Sequence, residues 1–197
     1  MAVNADNVLA FGSDNDSLYL GEYDKSIATK IKGLTTAIPQ GFEDCGWLGE
    51  DGVALTMDDS VTKIKGHQGH GVVRTFMDSS ETALTASLLE SRLSTVQRYL
   101  NATAEKIQET VKSEQVNIAK ITAKAQRKVT VLSGILDVFD TASSANAVHM
   151  RIVLPRLELG ERGEITFKVG DLTAYAHTLN ITDDYIIYTN HAPLIPA

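Results

Sequence analysis

The sequence has a single cysteine, Cys45, in 197 residues. That excludes an intrachain disulfide framework and any metal site built from several thiolates. Standing beside Trp47 in a turn-rich run, Cys45 reads as a small packed residue instead of a reactive thiol. Aromatic residues are only 6% of the chain, which argues against an aromatic-rich recognition patch. No apolar run approaches the roughly 20 residues that a membrane-spanning helix needs. The opening Met1-Ala2-Val3-Asn4-Ala5-Asp6 has neither the basic start nor the apolar stretch of a signal peptide, so synthesis in the cytoplasm is expected.

Basic residues are also short. Against 25 Asp and Glu stand 18 Lys and Arg, a net charge of −7. Eleven acidic and three basic residues precede Lys63, and the remainder is mildly basic. Reading a nucleic-acid groove needs concentrated Lys and Arg, which this distribution does not supply. The acidic balance suits a surface that repels phosphate.

Catalytic signatures are missing too. There is no nucleophile elbow, phosphate loop, dinucleotide fingerprint or metalloprotease helix. Gly66-His67-Gln68-Gly69-His70-Gly71 is glycine-rich but lacks the Lys-Ser/Thr ending and the following helix of a phosphate cradle. His67 and His70, three apart, would point to opposite faces of a strand, and the flanking glycines disfavour a helix, so a surface loop is expected. Asp14-Asn15-Asp16 resembles a calcium loop only in part: Tyr19 stands where the glycine belongs and Lys25 where the glutamate belongs. A solvated turn is expected there. The carboxylate pairs Glu43/Asp44, Glu50/Asp51 and Asp58/Asp59 are adjacent residues, poorly placed to act as acid and base together. No enzyme activity, metal or cofactor is expected.

What is present is strand-like. A length of 197 residues with 43% hydrophobic and 22% charged residues fits one domain, residues 1–197, with a sizeable core. Asn7–Phe11 and Ser17–Leu20 read as short strands. Cys45-Gly46-Trp47-Leu48-Gly49-Glu50-Asp51-Gly52-Val53 reads as a strand end and a tight hairpin turn, since Asp-Gly supplies the positive φ such turns need. Val53–Asp58 alternates; Val61–Lys65 and Gly71–Met77 read as further strands. Leu84, Leu88, Leu89, Leu93, Val96 and Leu100 fall at three- and four-residue spacings, which predicts a helix over about 80–100, capped by Asp78 with Glu81 and stopped at Asn101.

The segment from 102 to 126 reads as a short helix followed by a strand. Ile107, Val111, Ile118 and Ile121 set the spacing, and Ala104–Glu109 have helical propensity. Later, Lys128–Leu132 and Ile135–Phe139 read as strands about a bend at Gly134, and Thr141–Asn146 as a turn. Ala147–Leu154 reads as a strand ended by Pro155. Glu164–Val169 and Leu172–Ile181 read as a hairpin about Gly170-Asp171, and Tyr185–Tyr188 as a closing strand. Residues 21–41 read equally well as an extended arm or an ordinary surface loop.

Several of these words, taken in order, are similar to one family. Gly46-Trp47-Leu48 with Glu50-Asp51-Gly52-Val53, then Val72-Val73-Arg74, then Glu81-Thr82-Ala83 running into Leu88-Leu89-Glu90 resemble the major tail (tail tube) proteins of long-tailed, non-contractile phages of the siphovirus type. Arg151-Ile152-Val153-Leu154-Pro155-Arg156 and Glu161-Arg162-Gly163-Glu164-Ile165-Thr166-Phe167 look like that family's late strand pair. About two thirds of the chain is covered.

The resemblance implies a mainly β fold with one prominent α-helix (α+β), a β-sandwich or open β-barrel that assembles into a ring. It implies stacked hexameric rings forming the tail tube, the channel for genome delivery, with a variable loop or β-hairpin at 102–126 and the segment 21–41 reaching across subunits. Partners by resemblance are copies of itself, a tape-measure protein in the lumen, and a tail terminator and tail-tip or baseplate proteins at the ends. DNA would pass without specific binding, and the protein would sit in the virion tail after assembly in the host bacterial cytoplasm. Gly46, Trp47, Leu48, Glu50, Asp51 and Gly52 are the candidate assembly contacts, together with the 21–41 arm, whose deletion is expected to leave a folded monomer. The strands with apolar residues on both faces, Ile135–Phe139 and Tyr185–Tyr188, would pack against neighbouring subunits, or else lie inside one sandwich core. A receptor-binding or decorating virion module and the tube of a related bacterial injection machine are the alternatives.

Overall fold

The computed structural model describes residues 7–141 and 147–196. Met1–Asp6 and the body of the turn expected at Thr141–Asn146 lie outside the described residues. The fold is mainly β, 55% strand and 9% helix, with antiparallel sheets and two α-helices. In chain order the elements are β1 (Ser17–Glu22), α1 (Ile27–Lys30), β2 (Phe42–Asp44), β3 (Leu48–Lys65), β4 (Val72–Leu88) and α2 (Leu93–Leu100). There follow β5 (Ala102–Val111), β6 (Glu114–Ala123), β7 (Thr130–Asp140), β8 (Val148–Arg162), β9 (Tyr175–Ile181) and β10 (Ile186–Thr189).

One eight-stranded sheet runs β2-β1-β7-β8-β9-β4-β3, with β10 also paired to β8, and β5 and β6 form a separate two-stranded sheet. The central pair is β7 and β8. On β8 the buried residues facing the main core are Ile152 and Leu154 before Pro155, and Leu157 and Leu159 after it. An unbroken strand would put 154 and 157 on opposite faces. A register shift between Leu132 and Gly134 of β7, opposite Pro155 and Arg156, restores the leucines to one side. Gly134 makes room there: a Cβ would stand 2.8 Å from Leu157 Cδ1 and 3.2 Å from Leu20 Cδ2, so those leucine methyls would have to shift. Ser133 Oγ donates to the Pro155 carbonyl at 2.6 Å and accepts the Asp24 amide at 2.9 Å.

Pro155 therefore does not end the strand, as the sequence suggested. It sits at a bulge, and also where the outer partner of β8 changes from β10 (facing Met150–Val153) to β9 (facing Leu157–Arg162). A residue without an amide hydrogen is tolerated at such an interruption of the ladder.

The main core joins Leu18 and Leu20 of β1, Leu132 and Leu136 of β7, and Leu84 and Leu88 of β4, with Tyr99 of α2 closing it. Strands from both halves of the sheet thus share one core. On the opposite face of β7 and β8, Ile135 and Val153 meet Ile27 and Ile31, both at most 1% exposed. Residues 21–41 are accordingly no extended arm but a strap packed on the sheet, and their deletion would remove core. The apolar double-sidedness of Ile135–Phe139 has the same cause: both faces are covered within the chain. Deep in the strap's seat Arg151 makes a bidentate pair with Asp137, both contacts 2.7 Å, and donates to the Thr36 carbonyl at 2.6 Å. His149 Nε2 lies 2.9 Å from the same Asp137 carboxylate, and its ring stacks on Phe139 at 4.2 Å.

The helix expected at 80–100 is a strand and a shorter helix. Leu84, Ala86 and Leu88 are buried at a period of two, and β4 is paired on both sides, with β3 and with β9. Leucines four apart satisfy a helix and a strand alike, so the two ladders decide. Asp78 and Glu81 cap nothing and lie in β4. Only Leu93–Leu100 is helical, ended by Asn101 in the left-handed region at φ 52°. Residues 102–126 hold a β-hairpin without a helix: β5 and β6 pair from Ala102↔Ala123 to Val111↔Glu114 across the two residues Lys112 and Ser113, both at positive φ. The Ile107, Val111 and Ile118 that suggested helical spacing share one face of this hairpin, Ile107 directly opposite Ile118.

Asn7–Phe11 forms no strand; the Ala10 amide donates to Asp140 at 3.0 Å. Glu164–Val169 forms none either, leaving Phe167 and Val169 exposed, and β9 pairs with β4 and β8 in place of that segment. The closing strand expected at Tyr185–Tyr188 is present one residue later as β10, Ile186–Thr189, and Cys45 is buried, its thiol pushed up to about 11 by desolvation.

Two stability predictions follow from the interior. Arg151→Met strands the buried Asp137 carboxylate and is expected to cost about 3–5 kcal/mol in denaturant unfolding. His177 is 1% exposed; its Nδ1 donates to the Tyr175 carbonyl at 2.8 Å and its Nε2 is buried without a partner. Burial pulls its pKa from 6.5 down to about 4. Between those values the unfolded chain takes a proton that the folded chain refuses, so stability falls as pH falls through that window. The loss from this residue is about 3 kcal/mol when complete. Urea unfolding at pH 7 and pH 4.5 is expected to show it, and a His177→Gln variant to show a flatter profile.

Candidate assembly surface

The connection from β2 to β3 is fixed through its backbone and leaves side chains outside. Gly46 has φ +75°, and a Cβ there would collide with the Glu90 carboxylate. Its amide donates to Asp44 Oδ1 at 2.8 Å, and the Trp47 amide donates to Glu90 Oε1 at 3.0 Å. The Leu89 amide returns to the Trp47 carbonyl at 2.9 Å. Glu90 is held in turn by Arg92 at 2.5 Å, and Arg92 donates to the Asp44 carbonyl at 2.7 Å. The amide of Trp47 and then the guanidinium of Arg92 lower the Glu90 pKa. With its backbone held this firmly, the Trp47 indole stands 75% exposed.

Of the other residues singled out in the sequence, Leu48 pairs with Leu88 and packs against the main core. Glu50, Asp51 and Gly52 form no hairpin turn. They lie in β3, in an excursion between the pairs Leu48↔Leu88 and Val53↔Ala86, where four residues oppose Ser87. Gly52 takes φ +66° there, and Glu50 and Asp51 are exposed. The structure thus gathers Gly46 and Trp47 about Glu90, and sets Glu50–Gly52 apart on the outer strand.

A larger surface went unseen in the sequence. β3 is the last strand of the sheet, so among the described residues the outer edge of its 18 residues has no strand partner. Beyond Thr56 and Ala83, β3 and β4 leave the core and continue as a hairpin whose residues from Met57 to Lys65 and Val72 to Ser80 are exposed on both faces. Met57, Val61, Ile64, Val72, Val73, Phe76 and Met77 are between 43% and 74% exposed. The β5/β6 hairpin is a second such projection, mostly exposed, with one cross-strand ion pair, Lys120–Glu105 at 2.6 Å. The signal available in sequence was the lack of any apolar face in Asp58-Asp59-Ser60 and Asp78-Ser79-Ser80, β-forming length without a stripe to bury.

Two open grooves flank α2, of about 370 and 580 Å³, and share Gly21, Glu22 and Arg98 in their walls. The larger also holds Asp24 and Glu43. Asp24 is bound to Lys30 at 2.6 Å and to Ser26, which lower its pKa to about 2. Among the described residues no group of three or more His, Cys, Asp or Glu could hold a metal ion. His67 and His70 sit in the exposed loop between β3 and β4. Among the described residues, too, no helix is long and apolar enough to cross a membrane.

No protein-family model matches this chain, and comparison with curated proteins finds no significant match.

The exposed indole gives a direct test of the β2–β3 connection. Trp47→Ala is expected to change unfolding free energy by less than about 1 kcal/mol, because little is buried. If copies of the chain associate through this turn, association measured by sedimentation velocity is expected to weaken on the order of tenfold in the variant, as truncation of an interface tryptophan does. Unchanged association would remove Trp47 from the contact surface.

Proposed function

We propose that this chain is a structural subunit that assembles with copies of itself into rings, stacked as the tail tube of a long-tailed, non-contractile phage. The observation that carries the reading is the free edge of β3, extended by a hairpin with apolar residues outside the core. An 18-residue edge is a template for strand pairing wherever its excursion at Gly49–Gly52 and its charged side chains leave the backbone open. A closed ring satisfies each edge with a neighbour, and head-to-tail stacking of rings extends the object into a tube. The ordered resemblance from Gly46 to Phe167 supplies the rest: six subunits to a ring, a tape-measure protein in the lumen, and terminator and tip proteins at the ends.

In this reading the mechanism is geometric. The protein provides a channel and an interlocking lattice, and makes or breaks no bond. The acidic balance of the chain, a net charge of −7, suits a channel that DNA passes without adhering.

Negative-stain electron microscopy of the concentrated protein, alone and with a purified tail-tip complex as nucleus, tests this. Rings or tubes with a stain-filled centre are the expected result. Compact trimers would overturn it in favour of a receptor-binding module, and a field of monomers with and without the nucleus would also overturn it.

A further inference from the structure

The charges of the β3/β4 hairpin are sorted by height. Its stem, residues 57–62 and 77–82, carries Asp58, Asp59, Asp78 and Glu81 and no Lys or Arg. Its tip, residues 63–76, carries Lys63, Lys65 and Arg74 and no Asp or Glu. The stem is self-repelling as it stands: Asp58 is directly opposite Glu81 in the ladder, and like charges so placed destabilise a strand pair. Among these seven side chains the structure contains one polar contact, Thr62 Oγ1 donating to Asp78 Oδ2 at 2.8 Å, and one ring contact, Arg74 over Phe76 at 5.0 Å. No ion pair joins tip to stem among the described residues.

The two bands lie about five residues apart along the strands, roughly 17 Å at about 3.4 Å per residue. That exceeds the Debye length of about 8 Å at physiological ionic strength. Neither band neutralises the other within one copy. A second hairpin displaced along the first by that distance puts its tip on the first one's stem.

We propose that the β3/β4 hairpin docks on the same hairpin of a second copy of this chain, basic tip against acidic stem. The proposal rests on the self-assembly reading and adds to it the register in which two copies meet. Apolar side chains accompany both bands: Ile64, Val72 and Val73 at the tip, and Met57, Val61 and Met77 along the stem. Contact therefore buries apolar surface as it pairs charge. A nucleic acid or an anionic membrane would meet three cations at the tip and then four carboxylates just below. A partner must set cations against the stem and carboxylates against the tip; a copy shifted one way supplies the first and a copy shifted the other way the second, so a run of copies satisfies both bands. Because whole copies repel at a net charge of −7, this local match sets the register of approach.

The test uses the full-length protein and a zero-length carbodiimide reagent that couples Lys to Asp or Glu. Equal amounts of ¹⁴N- and ¹⁵N-labelled protein are mixed, so that a mixed-isotope product proves contact between copies. The expected products join Lys63 or Lys65 of one copy to Asp58, Asp59 or Glu81 of another. A tip-reversed variant (Lys63→Glu, Lys65→Glu, Arg74→Glu) and a stem-reversed variant (Asp58→Lys, Glu81→Lys) keep the core, since every altered side chain is exposed. Circular dichroism melting checks that they do. Each alone is expected to need about tenfold more protein to associate, and an equimolar mixture to associate like the parent.

Absence of mixed-isotope tip–stem products, or parental association of either reversed variant alone, overturns the proposal. Tubes in the microscope without tip–stem products overturn this register and leave the tube reading in place. Tip–stem products from pairs that never form rings uphold the docking and overturn the tube. Association with duplex DNA that the tip-reversed variant loses, without tip–stem products, would assign the tip to nucleic acid and overturn it as well.

Discussion

At the junction of Gly134 with Pro155 the two central strands fall out of step by one residue, and the rest of the architecture depends on that slip. Pro155 has no amide hydrogen to contribute, and Gly134 leaves room for Leu157 and Leu20 where a side chain would clash. The slip reverses the alternation of β8, so that Ile152, Leu154, Leu157 and Leu159 face one core along a strand of 15 residues. It also marks the place where the outer neighbour of β8 changes from β10 to β9. Through β9 the sheet continues to β4 and β3, the strands that leave the core. A regular ladder at this point would send Leu157 and Leu159 to the other face, away from Tyr99 and α2.

The opposite face of the same strand pair is sealed by a different device. Ile27 and Ile31 pack on Ile135 and Val153, and beside them Arg151 ties Asp137 to the backbone at Thr36. The guanidinium matches the carboxylate bidentately and still has a donor for the strap, which is why an arginine suits this position better than a lysine. Covering both faces of β7 and β8 within one chain leaves the central strands with nothing to offer a neighbour. The exposed features lie instead at the periphery: the edge of β3, the two projecting hairpins, and Trp47.

The candidate site was partly legible in the sequence. Gly46-Trp47 stood out through the family resemblance and the turn-rich character of the run, and the structure gives that spot a rigid backbone and an exposed indole. Asp51-Gly52 looked like a hairpin turn because the dipeptide suits positive φ. Gly52 does take positive φ, but inside a bulge, since nothing in a dipeptide says whether the chain reverses or carries on. The hairpin of β3 and β4 was read as separate short strands before a helix, because Asp58-Asp59-Ser60 and Asp78-Ser79-Ser80 interrupt the apolar pattern along it.

The sequence by itself determined a β-rich chain with one buried thiol, a bend at Gly134, a polar stop at Asn101 and a loop at His67–His70. Each of these rests on local physics: β-branched stretches, glycine's freedom, asparagine's tolerance of positive φ. Tertiary structure alone decided the rest. Leu84 and Leu88 fit a helix face and a strand face equally, and pairing with β3 and β9 made them strand. Ile107 and Ile118 fit a helix until they met across a two-residue turn. The strap at 21–41 became core only because β7 and β8 present Ile135 and Val153 to it. Spacing fixes which residues can share a face; only the partners brought by distant parts of the chain decide which face exists.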